Sequence, residues 1–193
     1  MMTLNPKNWE ISPPQQGTKG GKTCLVSLNK LPIEFNLGGP TSTPFGASNF
    51  DDDNNPRQNL DLTLSDDDVS NFEAVDAFLL TWALQNKDTL FKSGTTPEKI
   101  KESYRSILRQ KEGYKPLLRT KINIEKVKLW DEANNKRGVP EDKFRRADLW
   151  VKLRVGTLWF VPAGRWGLTL ECQHVKVRER ADECPFNEFP ETD

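Results

Sequence analysis

In the segment LWVKLRVGTLWF, which begins at Leu149, Trp150, Lys152 and Arg154 alternate with Leu149, Val151, Leu153 and Val155. Side chains on a strand point to opposite faces in turn, so this spacing predicts an apolar face for a core and an outer face of one indole and two cations. The same alternation recurs at Lys126-Val127-Lys128-Leu129-Trp130. An indole offers a flat surface for stacking, and lysine and arginine offer fixed positive charge. Together they suit a single-stranded nucleic acid, whose unpaired bases stack on rings while its phosphates follow the cations. The candidate set is Trp130, Trp150 and Trp159 for stacking, with Lys115, Arg119, Lys121, Lys126, Lys128, Lys152, Arg154 and Arg165 for phosphates. Arg145 and Arg146, at the end of a polar loop, are candidates to clamp the strand.

Bond-making chemistry finds less support. His174 is the single histidine, and no Ser/His/Asp or Cys/His constellation can be assembled around it. The stretch GTKGGKT, Gly17 to Thr23, resembles a phosphate-binding loop, but Gln16 stands where its first glycine is needed and a proline-rich stretch precedes it instead of a buried strand. The acidic run from Asp51 places Pro56 where a calcium loop needs glycine and Leu62 where it needs a bidentate acid. Cys172 and His174, two apart on a predicted strand, share a face there and could hold a metal only with further donors such as Cys24 or Cys184. A buried thiol beside a partly exposed imidazole is the simpler reading. The expectation is a binding protein: not an enzyme, without metal or cofactor.

Of 193 residues, 28 are Lys or Arg and 28 Asp or Glu, so the formal charge is zero, which by itself argues against a nucleic-acid partner. The charges are segregated, however. Residues 115–180 hold 16 Lys/Arg against 8 Asp/Glu, residues 51–76 hold nine acids against Arg57 alone, and residues 181–193 hold five acids and no base. A basic body with acidic appendages can bind a polyanion on one face. Three scattered cysteines fit a reducing, intracellular compartment, and no apolar run approaches the roughly 18 residues of a membrane span.

The elements that must position these residues follow from periodicity. Residues 1–21, rich in Pro and Gly, read as a flexible arm. Strands are predicted from Lys22, around Ile33-Phe35-Leu37, over Leu60-Leu62-Leu64 and over Leu118 to Ile124, with Val127 and Leu129 continuing the last. The turn-rich stretch from Gly38 to Pro56 reads as a surface loop, as does DEANNKRGVPEDKFRR. Phe72, Val75, Phe78, Leu79, Trp82 and Ala83 have helical spacing. A second helix starts at Pro97 behind a capping-box pair, Thr95 and Glu98, carries Ile100, Tyr104, Ile107 and Leu108, and stops at Gly113. Two long strands, from Leu149 to Val177 around Pro162-Ala163-Gly164-Arg165, close the chain. Strands, a helical pair and strands again, without βαβ alternation, predict a mainly β (α+β) domain: an antiparallel barrel over residues 22–180 with a two-helix insertion at about 71–112, and an acidic tail at 181–193.

The closing segment WVKLRVGTLWFVPAGRWGLTLECQHVKV, followed by an acidic end containing Phe186 and Phe189, resembles the last two strands and tail of the OB-fold single-stranded DNA-binding proteins of phages and large DNA viruses. FEAVDAFLLTWALQNKDTLF with TPEKIKESYRSILRQKEGYKPLLRTKI is similar to their helical insertion and following strand, and TPFGASNF to a loop before a strand. The resemblance covers most of residues 22–193. It implies an OB-like barrel, single-stranded DNA as partner in viral replication or recombination, and an acidic tail that docks replication proteins through Phe186 and Phe189, with homo-oligomers possible. Asp182-Glu183-Cys184-Pro185-Phe186 is similar to the terminal motif of bacterial proteins of this function, but the chain continues to Asp193. The competing readings are a virion structural or assembly protein and an RNA-binding accessory protein.

Overall fold

The computed structural model describes residues 4–17, 20–49, 54–145 and 147–178. A short 3-10 turn, Pro6–Asn8, is capped by Asn5, whose Oδ1 accepts from the Lys7 amide, and it delivers Trp9 edge-on against Phe78. Strands β1 (Glu10–Ile11) and β2 (Gln15–Gln16) both pair with β3 (Lys22–Ser27). The described part of residues 1–21 is therefore fastened to the sheet where a flexible arm was expected, because β3 would otherwise expose a row of unpaired backbone groups. Cys24 and Val26 of β3 face the core, as does Phe35 of β4 (Glu34–Asn36).

The region expected to be a surface loop holds β5 (Thr41–Ser42) and β6 (Ala47–Ser48), and Thr41, Thr43 and Ala47 are buried. Between them Gly46, at φ +69°, passes so close to the loop that follows Pro140 that a Cβ would lie 2.8 Å from the Lys143 carbonyl oxygen. Its missing side chain admits this packing. Strand β7 (Arg57–Thr63) then buries Leu60 and Leu62.

Helix α1 (Asp66–Gln85) begins at Ser65, whose hydroxyl accepts from the Asp68 amide, and carries three acids in its first turn, where the helix dipole favours them. Phe72, Val75, Leu79 and Ala83 are buried, with Phe78 and Trp82 half-buried beside them. After the single turn α2 (Lys87–Leu90), α3 (Pro97–Ser103) is capped by Thr96, one residue later than the sequence suggests. It also ends ten residues before Gly113, because the chain beyond it is claimed by the sheet. Strand β8 (Tyr104–Arg105) runs beside Trp166 and Gly167, and β9 (Leu108–Arg109) pairs with β10 (Leu117–Asn123). The Tyr104 ring packs 4.5 Å from that of Trp166, and its hydroxyl donates to Asp76 at 2.5 Å. Trp166 is fully buried and donates its Nε1–H to the Ile100 carbonyl at 2.9 Å, which ties the helical insertion to the sheet.

Beyond β10 come β11 (Lys128–Trp130), β12 (Lys136–Arg137), β13 (Asp148–Phe160) and β14 (Trp166–Arg178). The loop between β12 and β13 is held by Phe144, which is fully buried. The strand order along the sheet is β1-β3-β13-β14-β10-β7-β6. The expected all-antiparallel arrangement is corrected to a mixed one: β10, β11 and β8 each pair parallel with β14. Long crossover connections, through the excursion after Trp130, allow these parallel neighbours. The backbone ladder does not close. Instead β5, hydrogen-bonded to β13, reaches β7 through side chains: the Thr41 hydroxyl donates to the Thr63 carbonyl, and the Thr63 hydroxyl accepts from the Ser42 amide at 2.9 Å. The result is a mainly β domain of the OB-like class, a curled sheet with a helical insertion. Among the described residues no helix is long and apolar enough to cross a membrane.

Trp166 carries the packing between sheet and helices, whereas Trp150 lies on the outer face. Trp166→Ala is expected to lower the unfolding free energy by about 3–5 kcal/mol, and Trp150→Ala by about 1 kcal/mol or less, in denaturant melts.

Candidate nucleic-acid interface

Cross-strand register places the candidate side chains in rows. Trp150 of β13 sits opposite Lys176 of β14, which sits opposite Trp130 of β11. One step along, Lys152 lies opposite His174, and His174 opposite Lys128. Further on, Arg154 lies opposite Glu171, which pairs in turn with Lys121 of β10. Directly opposed residues share a face, so these rows form one outer surface, while Leu149, Val151, Leu153 and Val155 point into the core as the alternation predicts.

Two hollows lie on this surface. The larger, about 550 Å³, is lined by Trp130, Trp150, Lys152, His174 and Lys176 together with Asn36 and the backbone of Gly38 and Gly39. The second, about 300 Å³, is lined by Arg57, Lys121, Lys126, Arg154, Glu171 and Gln173. Lys176 Nζ and the Arg178 guanidinium stand 5.9 and 5.4 Å from the centre of the Trp150 ring, so charge is held beside the stacking plane.

Most cations here have partners in the free protein. Lys152 pairs with Glu34 at 2.6 Å, Arg154 with Glu171 at 2.5 Å, Lys176 bonds Asn134 at 3.0 Å, and Arg178 bonds Glu132 at 2.7 Å. The Glu34 carboxyl is held below its ordinary pKa chiefly by its hydrogen bond from Lys152. Partial burial, then the neighbouring charges of Lys128 and Lys152, push the His174 imidazole below its ordinary value of 6.5, so it is neutral at pH 7. Lys121 donates to Asn59 at 2.6 Å and is also held below the ordinary lysine value, first by burial and then by Arg57 and Arg119.

The candidates fall into groups. Trp130, Trp150, Lys128, Lys152, Lys121, Lys126 and Arg154 are brought together on the outer face. Trp159 reaches the same face by a different route. A bulge between Val155 and Leu158 shifts the alternation by one residue, so Trp159 points outward with Trp150, roughly 30 Å away along the strand. Its ring lies over Gly167, where a Cβ would come within 3.0 Å of it. Arg165 sits at the hairpin turn, apart from both hollows. Arg119 is bound to the buried carboxylate of Asp61 at 3.1 Å, which Arg109 also holds at 2.9 Å. Lys115 pairs with Asp66 at the start of α1. Arg145 is exposed on the loop against Gly46 and lines neither hollow. Arg146, Phe186 and Phe189 lie outside the described residues.

A second bulge overturns the shared face expected for Cys172 and His174. Leu153 pairs with Cys172 but Lys152 with His174, so Gln173 is the extra residue, Cys172 turns into the core and His174 turns out. Cys24 and Cys172 are free thiols whose pKa values burial pushes up to about 11 and about 12. No cluster of metal-ligating side chains occurs among the described residues. The sequence reading missed Lys176 and His174 as parts of the surface, although His174-Val175-Lys176 repeats the alternation already noted on β13. It also missed Arg57, which register alone brings to Glu171 at 3.8 Å.

No protein-family model and no curated protein matches the chain. Solved structures similar to it include the single-stranded DNA-binding protein from bacteriophage Enc34, at 10% identity and a TM-score of 0.47 over 94% of this chain and 96% of that one. A C-terminal truncation of that protein matches at 10% identity and a TM-score of 0.46, covering 89% of this chain and 96% of that one. Its complex with single-stranded DNA matches at 12% identity and a TM-score of 0.42, with the same coverage.

Because His174 is the single histidine, its ring protons can be followed without ambiguity by NMR. Its titration midpoint is expected below 6.5, and Lys128→Ala or Lys152→Ala should each raise it by removing a neighbouring positive charge.

Proposed function

We propose that the protein binds single-stranded DNA with little sequence preference and covers it during viral DNA replication or recombination, inside the reducing interior of the host cell and without chemical change to the strand. The observation that carries this reading is the pair of opposed rows on β13, β14 and β11: indole, lysine, indole, then lysine, imidazole, lysine. Bases stack on Trp150 and Trp130, and Lys176 between the rings meets a phosphate. Lys128, Lys152 and neutral His174 line the next step of the backbone. The site is open and shallow, and nothing in it matches a base edge in a fixed pattern, which favours stacking over sequence readout. The acidic end with Phe186 and Phe189 is the part proposed to meet replication proteins, on grounds of charge and aromatic content alone.

Lys152 must exchange Glu34 for a phosphate, so the ion pair weakens binding of the first contact. Removing that competitor with Glu34→Gln is expected to tighten binding.

The test is a titration of poly-dT against intrinsic tryptophan fluorescence at several salt concentrations. Quenching is expected, with Trp150→Ala weakening affinity by about 1–3 kcal/mol. Three phosphate contacts from Lys128, Lys152 and Lys176 contribute about −2 to the log–log salt slope, at roughly −0.7 per contact. Absence of quenching, or equal affinity for duplex, would sink the reading. A preference for RNA would transfer the site to that polymer, and DNA-independent oligomers indifferent to Lys152→Glu would favour an assembly protein.

A further inference from the structure

At the far end of the β13–β14 hairpin lies a third and larger hollow, about 700 Å³, between the hairpin turn and the helical insertion. Its floor is apolar, built by Phe91, Phe160 and Pro162 above the buried Trp166; Phe160 stacks on Trp166 with ring centres 5.7 Å apart, and Phe91 meets both edge-on. Its rim is cationic. Lys92, Lys99, Arg105 and Arg165 converge on it from four separate segments: the turn after α2, α3, β8 and the hairpin. All four side chains are exposed, and none makes an ion pair with an acid among the described residues. Lys22, also lining the hollow, is already used, since its ammonium donates to the Thr89 and Leu90 carbonyls. Among the described residues Glu102 is the single acid lining the hollow.

The contrast with the sheet surface is the informative point. There Lys152 and Arg154 are matched by Glu34 and Glu171; here four positive charges gather around Glu102 with no ion pair among the described residues, at a cost in mutual repulsion that a bound anion would relieve. Register also links this hollow to the outer face. Trp159 pairs with Gly167 and Gly167 with Arg105, so an indole and an arginine flank a residue with no side chain. The glycine is required, because a Cβ there would lie 2.7 Å from the Arg105 carbonyl oxygen as well as against the Trp159 ring. This row repeats the aromatic and cationic pairing of Trp150 and Lys176 at the other end of the same two strands.

We propose that this hollow is a second contact site for a single nucleic-acid strand, with its phosphodiesters on Lys92, Lys99, Arg105 and Arg165 and the adjoining base on Trp159, which lies outside the hollow on the outer face beyond Arg105, so that one molecule holds a strand at both ends of the hairpin. The inference rests on the single-strand reading above. Sites roughly 30 Å apart cannot both be filled by one very short oligonucleotide, whereas a longer strand bridges them and gains from the high local concentration of its second half.

Calorimetric titration with oligo-dT of about 5 and about 16 nucleotides, the ends of the range a single OB-type domain covers, separates the possibilities. The parent is expected to take two equivalents of the short oligomer and one of the long. The double variant Lys92→Glu/Lys99→Glu, altered at exposed positions, should take one equivalent of the short and bind the long one about tenfold or more weakly, with a salt slope shallower by about 1.4, at roughly 0.7 for each lost contact. Long-strand affinity and salt slope unchanged by the double variant would overturn the second site while leaving the sheet site standing. Failure of the parent to bind either oligomer would overturn both. If the variant loses binding of inorganic pyrophosphate but keeps full affinity for the long strand, the hollow serves a small phosphate compound and the strand assignment is wrong.

Discussion

The rest of the molecule is organised by one long antiparallel pairing, β13 against β14, each thirteen residues long. Every other side chain of β13 enters the core, so the strand that builds the interior also displays the outer indoles and cations. Two irregularities in that ladder decide where the display is continuous. The one at Gln173 keeps a thiol inside and an imidazole outside; the one at Gly156 and Thr157 returns Trp159 to the face of Trp150. Without them strict alternation would bury one functional side chain and expose a core one.

The surface so created is charged unevenly although the chain is neutral. Along the middle of the sheet, carboxylates from β4 and β14 neutralise Lys152 and Arg154, which costs little because the pairs are partly exposed and solvent screens them. A phosphate can displace such a partner. Near the hairpin turn Lys92, Lys99, Arg105 and Arg165 make no such ion pair among the described residues. The two ends of one hairpin thus present different electrostatics on a shared geometric plan: a glycine or a lysine opposite a tryptophan, with further cations alongside.

The helical insertion contributes by position more than by chemistry. It is anchored through Trp166, whose ring joins Phe91, Phe160 and Tyr104 and whose indole nitrogen reaches the last turns of α3. Asp76 on α1 receives hydroxyls from Tyr104 and Ser106, and its pKa is raised by burial despite them. These contacts hold β8 beside β14 and so fix Arg105 next to Gly167. The early end of α3 follows from the same contacts: the helical periodicity through Ile107 is real in the sequence, but hydrogen bonds to the sheet and an aromatic pocket outweigh weak helix preference over so few residues.

Local periodicity was enough to locate the two long strands, the buried face of α1, the mainly β class and the alternation that carries Trp150, Lys152, Trp130 and Lys128, because side-chain direction within an element depends only on its own repeat. It was not enough to say which candidates would meet. Lys115 and Arg119 are cations in similar sequence surroundings to Lys121 and Lys126, yet the fold pairs Lys115 with Asp66 and commits Arg119, on the same face of β10 as Lys121, to Asp61, while Lys121 and Lys126 line a hollow. Lys176 and Arg57 entered the site through partners distant in the chain, and a single extra residue, Gln173, parted Cys172 from the face of His174. Residue type and alternation thus set what kind of surface this protein could display; strand register, bulges and the docking of the insertion chose its members, since each depends on contacts between segments that no local pattern contains.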